Sequence, residues 1–148
     1  MTLNNEKLDP RKTYERALYL GCGYTYDDLE KPRIAIVNSW NEINPGHIHL
    51  RKLSEFVKEG IREAGGTPME FNTIASCDGI ANSGSFSKYI LPSREIIAGS
   101  VECTIKAYDF DGMVMLCSCD KIIPGMLMAA ARCNICLLYT SPSPRDRS

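Results

Sequence analysis

Three short apolar runs, each followed at once by an unusual polar loop, constrain this chain more than any other feature. They are Arg33 to Asn38 (RIAIVN), Pro68 to Ile74 (PMEFNTI) and Gly112 to Cys117 (GMVMLC). Each is short, partly β-branched and bounded by polar or glycine-containing residues, as buried or half-buried strands are. The segments between them have helical period. Over His47 to Ala64, Leu50, Leu53, Val57, Ile61 and Ala64 recur at spacings of three and four, and Gly65-Gly66 supplies a stop. Pro92 to Tyr108 repeats the pattern with Ile97, Val101 and Ile105 on one face, and a further helix begins near Pro124. Asp9 to Leu20 is a helix ahead of the first strand, with Asp9 as its cap and Pro10 at its first position. One helix followed by three strand–helix pairs predicts an α/β fold, a parallel sheet flanked by helices.

Such a sheet binds ligands beyond the carboxyl ends of its strands. That places NSWNEINPGH, ASCDGIANSG and SCDK, the loops after the three strands, on one edge of the domain. Ser118-Cys119-Asp120-Lys121 is the strongest chemical signal: a thiol, a carboxylate and an amine stand consecutively before a helix N-terminus. Cys77-Asp78-Gly79 repeats the Cys-Asp pair after the preceding strand. Thiolates select zinc or iron–sulfur clusters and carboxylates select magnesium or manganese, so the two loops together suit a site with both kinds of donor. The plainer alternative is a pair of ordinary turns, with Asp120 and Asp78 chosen for backbone geometry and the cysteines for packing. His47 and His49 are the only histidines, and a neutral imidazole held by a ligand or a hydrogen bond is expected at His47. Cys117 belongs to an apolar run and reads as core, Cys22 and Cys103 read as structural, and Cys133 with Cys136 forms an isolated CxxC of little weight.

Composition narrows the partners. Seventeen Lys and Arg stand against eighteen Asp and Glu, without a long run of either sign, so neither nucleic acid nor an anionic membrane is expected and the substrate should be a small molecule. Neither a signal peptide nor a membrane span is visible, and the default location is cytoplasmic. Seven cysteines of irregular spacing, in a reducing compartment, point to metal or redox chemistry rather than a disulfide framework.

Taken in order, KPRIAIVNSWNEINPGHIHL, REAGGTPMEFNTIASCDGIA, LPSREIIAGSVE and CDKIIPGMLMAAARCNI resemble the successive N-terminal blocks of the dihydroxy-acid dehydratase and phosphogluconate dehydratase family, from about Lys31 to Ile135. PGHIHL and EFNTI bring the chain nearer to the dihydroxy-acid branch. The resemblance implies a hydro-lyase of branched-chain amino-acid biosynthesis that converts a 2,3-dihydroxy carboxylic acid to a 2-keto acid with an iron–sulfur cluster and Mg2+. It implies Cys119 as a cluster ligand, Asp78 and Asp120 as magnesium ligands, and Lys121, carbamylated in some relatives, as a catalytic residue and further magnesium ligand. Cys77 joins this metal set, through the Cys-Asp-Gly that the phosphogluconate branch also carries. The resemblance leaves two-iron and four-iron clusters both open, and it implies a homodimer for the full-length protein.

The chain departs from the pattern at Gly46, where many members with a two-iron cluster have a cysteine, and at NSGSFSKY, which is poorer in glycine and methionine than the family segment. The expected organisation is a partial N-terminal α/β dehydratase domain over 1–135 and an unrelated tail over 136–148. That tail, CLLYTSPSPRDRS, looks like translated sequencing adapter and is expected to have no fold of its own. A further cluster cysteine, a magnesium carboxylate, a serine base and a C-terminal β-barrel domain are expected to lie outside this chain, which alone should be inactive. The competing readings are a sugar-acid dehydratase of the same family, acting on phosphogluconate or an aldonate, and a noncatalytic α/β metal-binding module.

Overall fold

A computed structural model of the chain describes residues 9–140. The elements are α1 (Pro10–Gly21), α2 (Tyr26–Leu29), β1 (Arg33–Asn38), α3 (Leu50–Glu63), β2 (Thr67–Asn72), α4 (Asp78–Ala81), a 3-10 turn (Ser87–Tyr89), α5 (Ile90–Tyr108), β3 (Gly112–Leu116), α6 (Ile122–Cys133) and β4 (Cys136–Thr140). Asp9 caps α1 as expected, its side chain accepting from the Arg11 amide at 2.9 Å, with Pro10 at the first helical position. Gly65 takes φ +84° just after α3, a left-handed turn that residues with a Cβ avoid. The helix over His47 to Ala64 starts later than its periodicity suggests, because residues 47–49 form a turn and His47 is drawn into the protein by its ring.

The four strands are parallel in the order β2-β1-β3-β4. Side chains alternate across the sheet. Ala35, Val37, Met113 and Met115 face α5 and α6 with Ile97, Val101, Ile122 and Met126, while Ile36, Val114 and Leu116 face α3 through Leu50, Leu53 and Val57. The crossover from β1 to β2 thus runs one way beneath the sheet, and those from β2 to β3 and β3 to β4 run the other way above it, as a single hand of crossover demands. Helices α5 and α6 approach closely at Gly125, where a Cβ would stand 3.1 Å from the Arg94 carbonyl and the Ile97 side chain.

The strand ends are level. Asn38 pairs with Asn72 on one side and with Leu116 on the other, so the loops after β1, β2 and β3 leave the sheet at one height. The strand order reverses at β1, which makes the β1/β3 boundary the crevice where such sheets take ligands.

Against the expectation that the segment from Cys136 has no fold of its own, Cys136–Thr140 adds to β3 in parallel, from Gly112↔Cys136 to Leu116↔Thr140. The unpaired edge of β3 is a template for any extended apolar run that α6 delivers to it, and Cys-Leu-Leu-Tyr-Thr has the strand propensity to accept. The strand is held by its backbone more than by packing, since Leu137 and Leu138 are exposed. Residues 141–148, the rest of that expected tail, lie outside the described residues.

Candidate metal centre

Two cysteines and a carboxylate meet where β2 and β3 end. The ligand atoms of Cys77, Asp78 and Cys119 all lie within 4.8 Å of one another, and this is the sole cluster of three or more metal-ligating side chains among the described residues. Cys77 is the residue ahead of α4 and Asp78 opens that helix. Cys119 holds a left-handed backbone, φ +73°, that is uncommon for a residue with a side chain. Its carbonyl accepts the amide of Ile123 at 3.1 Å, so this bend also starts α6.

Lys121 joins the acidic residues. Its Nζ donates to Asp120 Oδ2 at 2.6 Å and to Asp78 Oδ2 at 3.4 Å, while Asp78 Oδ1 accepts the Gly79 amide at 2.8 Å. The hydrogen bond from Lys121 holds the Asp120 carboxyl below the usual aspartate range, and the same contact raises the lysine. Burial pushes the Cys119 thiol up, and the neighbouring Cys77, Asp120 and Asp78 add to the rise. A cation replacing the thiol proton would remove both penalties. The donor chemistry therefore fits a soft metal at the thiols and a hard one at the carboxylates, the latter position being taken by the Lys121 ammonium.

The loop after β1 supports the other two. Asn41 Nδ2 donates to the Ala75 carbonyl at 3.1 Å, two residues before Cys77, and Gly46 lies against the Ser118 side chain, which a Cβ there would approach to 3.5 Å. His47 is fully buried, with Nδ1 2.7 Å from the Ser39 carbonyl and 3.0 Å from Ser39 Oγ. Ser39 Oγ donates to the Leu116 carbonyl at 3.0 Å, so Nδ1 carries the proton and donates to Ser39. Burial lowers the imidazole pKa and keeps it neutral, with the Ser39 and Ser118 backbones opposing more weakly. The expected neutral, hydrogen-bonded His47 is thus present as framework, and His49 is exposed. Cys117 is core, whereas Cys22 and Cys103, read as structural, are exposed. None of the seven cysteines forms a disulfide.

Sequence reasoning passed over Ser39, Asn41 and Asn44. Their only signal was a density of side-chain amides and hydroxyls directly after a buried strand. A groove of about 710 Å3 lies elsewhere, between α3 and β2 with Trp40, Arg51, Lys58 and Glu70 on its walls. Its size reflects the open β2 edge. Cys77 lines a separate cavity of about 260 Å3 formed with Ala75, Ile80, Phe86 and Ile90.

Comparison with known proteins identifies the family. Residues 31–145 match the family profile described as dihydroxy-acid/6-phosphogluconate dehydratase N-terminal. The chain is 59% identical over 129 residues to a dihydroxy-acid dehydratase of Pyrococcus furiosus, covering 87% of this chain and 23% of that protein. It is 54% identical over 144 residues to a dihydroxy-acid dehydratase of Methanococcus maripaludis, covering 97% and 26%. It is 56% identical over 133 residues to one from Caldicellulosiruptor saccharolyticus, covering 90% and 24%. The chain thus spans about a quarter of the length of the curated relatives it matches. With most of its length inside that profile and more than half of its aligned residues identical to such relatives, the chain belongs to the dihydroxy-acid/6-phosphogluconate dehydratase N-terminal family.

Proposed function

We propose that this chain supplies the N-terminal metal-binding part of a hydro-lyase that dehydrates 2,3-dihydroxy carboxylic acids to 2-keto acids in branched-chain amino-acid biosynthesis. The observation that carries the reading is the convergence of Cys77, Asp78 and Cys119 within 4.8 Å, with Lys121 bridging Asp78 and Asp120. Similarity to relatives named dihydroxy-acid dehydratase favours that substrate class over sugar acids.

The thiols of Cys119 and Cys77 would hold an iron–sulfur cluster, and Asp78, Asp120 and Lys121, the last as its carbamate, would hold Mg2+. When bound, these groups would supply a Lewis acid for the departing 3-hydroxyl and a cation for the carboxylate and 2-hydroxyl. The chain's own residues do the rest. The left-handed turn at Cys119 presents its thiol toward Cys77 and Asp78. Lys121, which we assign a catalytic role, balances the charge of two carboxylates as an ammonium and holds Asp120 below the usual aspartate range. His47 and Asn41 fix the loops from behind, so the donors need little reorganisation when substrate arrives.

Among the described residues no helix is long and apolar enough to cross a membrane. A site built on free thiols fits the reducing cytoplasm, where we place the protein. Exposed Ile43, Ile80 and Phe86 around the Cys77 cavity support cover by further protein, in a homodimer of the full-length enzyme. We retain 136–148 as a segment apart from the domain over 1–135, its first five residues being an edge strand recruited by β3.

The test is a chimera in which residues 9–135 replace the matching segment of the Pyrococcus furiosus relative. It should form 2-keto acid from 2,3-dihydroxyisovalerate, and Cys119→Ala or Asp120→Ala should each lower turnover by about a hundredfold or more. A folded chimera that turns over only phosphogluconate or an aldonate, or whose activity survives Cys119→Ala, would overturn the assignment.

A further inference from the structure

We propose that the outer edge of β4 is an interaction surface for a second copy of this chain, the two β4 strands pairing antiparallel about a two-fold axis and joining two four-stranded sheets into one. The proposal concerns the 148-residue chain itself and does not rest on the dehydratase reading.

The two edges of the sheet differ. The Leu116 carbonyl accepts the Ser39 amide, so the even-numbered residues of β3 turn to β1, while Met113 and Met115 turn to β4. With Met113 opposite Leu137, residues 136, 138 and 140 bond β3, and the N–H and C=O groups of Leu137 and Tyr139 point away from the sheet. At the far edge Thr67 and Thr73 donate to β1, so Pro68, Glu70 and Asn72 point outward from β2. That edge is blunted in three ways. Pro68 has no N–H, its carbonyl takes the Tyr24 hydroxyl at 3.5 Å, and the strand lies in a groove between α3 and residues 22–24 where Lys58 and Glu70 pair. β4 has none of these guards: Cys-Leu-Leu-Tyr-Thr contains no proline and no charge, and its register with β3 runs without a bulge.

The open edge is complementary to itself. Leu137 of one copy set opposite Tyr139 of the other, and the reverse, makes about four N–H···O bonds around the axis. The same register puts the two Leu138 residues directly opposite each other, their Cα atoms about 4.5 Å apart. Leu138 shares a face of the sheet with Val114, yet α3 lies over β1 and β2 and leaves it 61% exposed. Across the axis it meets its own copy and loses that exposure. Because β2 is blunted, the assembly closes at two copies instead of growing along the sheet. The contact is small, so the dimer comes apart on dilution.

The test is sedimentation velocity on the reduced chain over about 5 to 500 μM, which should pass from monomer to dimer. Amide exchange at Leu137 and Tyr139, followed by NMR, should slow by about tenfold or more across that range, while Glu70 and Asn72 stay unchanged. Leu137→Pro deletes an outward donor and no bond to β3, so it should remain monomeric with the Leu138 amide still protected. Leu138→Lys sets like charges face to face and should weaken association by about fivefold or more. Ile43→Ser, on the exposed loop after β1, should leave association unchanged. A monomer at every concentration, growth beyond two copies, or slowed exchange at Glu70 and Asn72 instead would overturn the proposal. So would a dimer that persists in Leu137→Pro, one indifferent to Leu138→Lys, or one lost in Ile43→Ser.

Discussion

The loop after β1 and the loops after β2 and β3 leave the same edge of one sheet and are held in opposite ways. At the first, Asn38, Ser39, Asn44 and His47 are all buried: Asn38 bonds across to the Leu50 carbonyl of α3 and Ser39 to the Leu116 carbonyl of β3, while His47 and Asn44 tie the loop to itself through the Ser39 carbonyl and the Gly46 amide. In the other two, Cys77 has no capping hydrogen bond and Asp120 is largely exposed. The Asp78 contact that spans the two loops is the Lys121 ammonium. Buried side chains bonded to backbone make a stiffer mount than half-exposed side chains joined by an ionic link. The polar residues that tie this edge of the fold together are therefore different residues from those we propose to bind metal.

That contrast breaks first at His47. Replacement by Ala should cost about 3 kcal/mol in urea unfolding, through the cavity and the abandoned Ser39 carbonyl. Because burial lowers the imidazole pKa, the unfolded chain binds a proton that the folded one refuses. Wild-type stability should thus fall as pH drops below about 6.5, and His47→Ala should lose that slope. A cost under about 1 kcal/mol would show that the mount is not rigid.

Gly125→Ala comes next. A Cβ between α5 and α6 must push back the Arg94 carbonyl, at an expected cost of about 2 kcal/mol. Since α6 starts from the Cys119 turn, 2-keto acid formation by the chimera carrying this change should fall as well. Unchanged turnover would mean that the Cys119 loop is independent of the helix behind it.

A smaller effect is expected from Glu70→Gln on the α3 side. Burial alone would raise the Glu70 carboxyl, but hydrogen bonds from Lys58 and Asn38 outweigh it and hold the pKa below the ordinary glutamate value. The contribution, about 1 kcal/mol, is present above pH ~4.3 and is lost as pH falls through the lower folded value. Thermal melts from neutral pH to pH ~3 should show the variant losing less stability on acidification than the wild type. The smallest effect belongs to Leu138→Ser, within about 0.5 kcal/mol by the same melts, because β4 is held by its backbone. A larger loss would show that the edge strand has a side-chain core after all.

Much of the fold was legible because β1, β2, β3 and the long helices carry their periodicity within themselves. The donor loops were legible because each follows directly on a strand. Short elements were not: α2 and α4 have four residues each, less than the window over which a helical period can be read. β4 was missed because two adjacent leucines before a Ser-Pro-rich stretch show no alternation, and its existence depends on the vacant edge of β3, a tertiary fact. The clamp of Ser39 and His47 against Leu116 was invisible for the same reason. Residues 39 and 116 become neighbours only through the pairing of β1 with β3, which the order of elements along the chain does not specify.

The left-handed backbone at Cys119 bears on how this position tolerates change. Glycine adopts that conformation freely and asparagine or aspartate with modest cost, whereas cysteine has no such preference. If all twenty amino acids were placed at 119 and the variants sorted twice, the two orders should run against each other. Glycine would lead a selection for thermal stability and vanish from a selection for thiophilic metal. A lineage released from the need for metal would drift toward glycine here before it lost the strands around it, so the residue at 119 serves as an early indicator of whether a related chain still works.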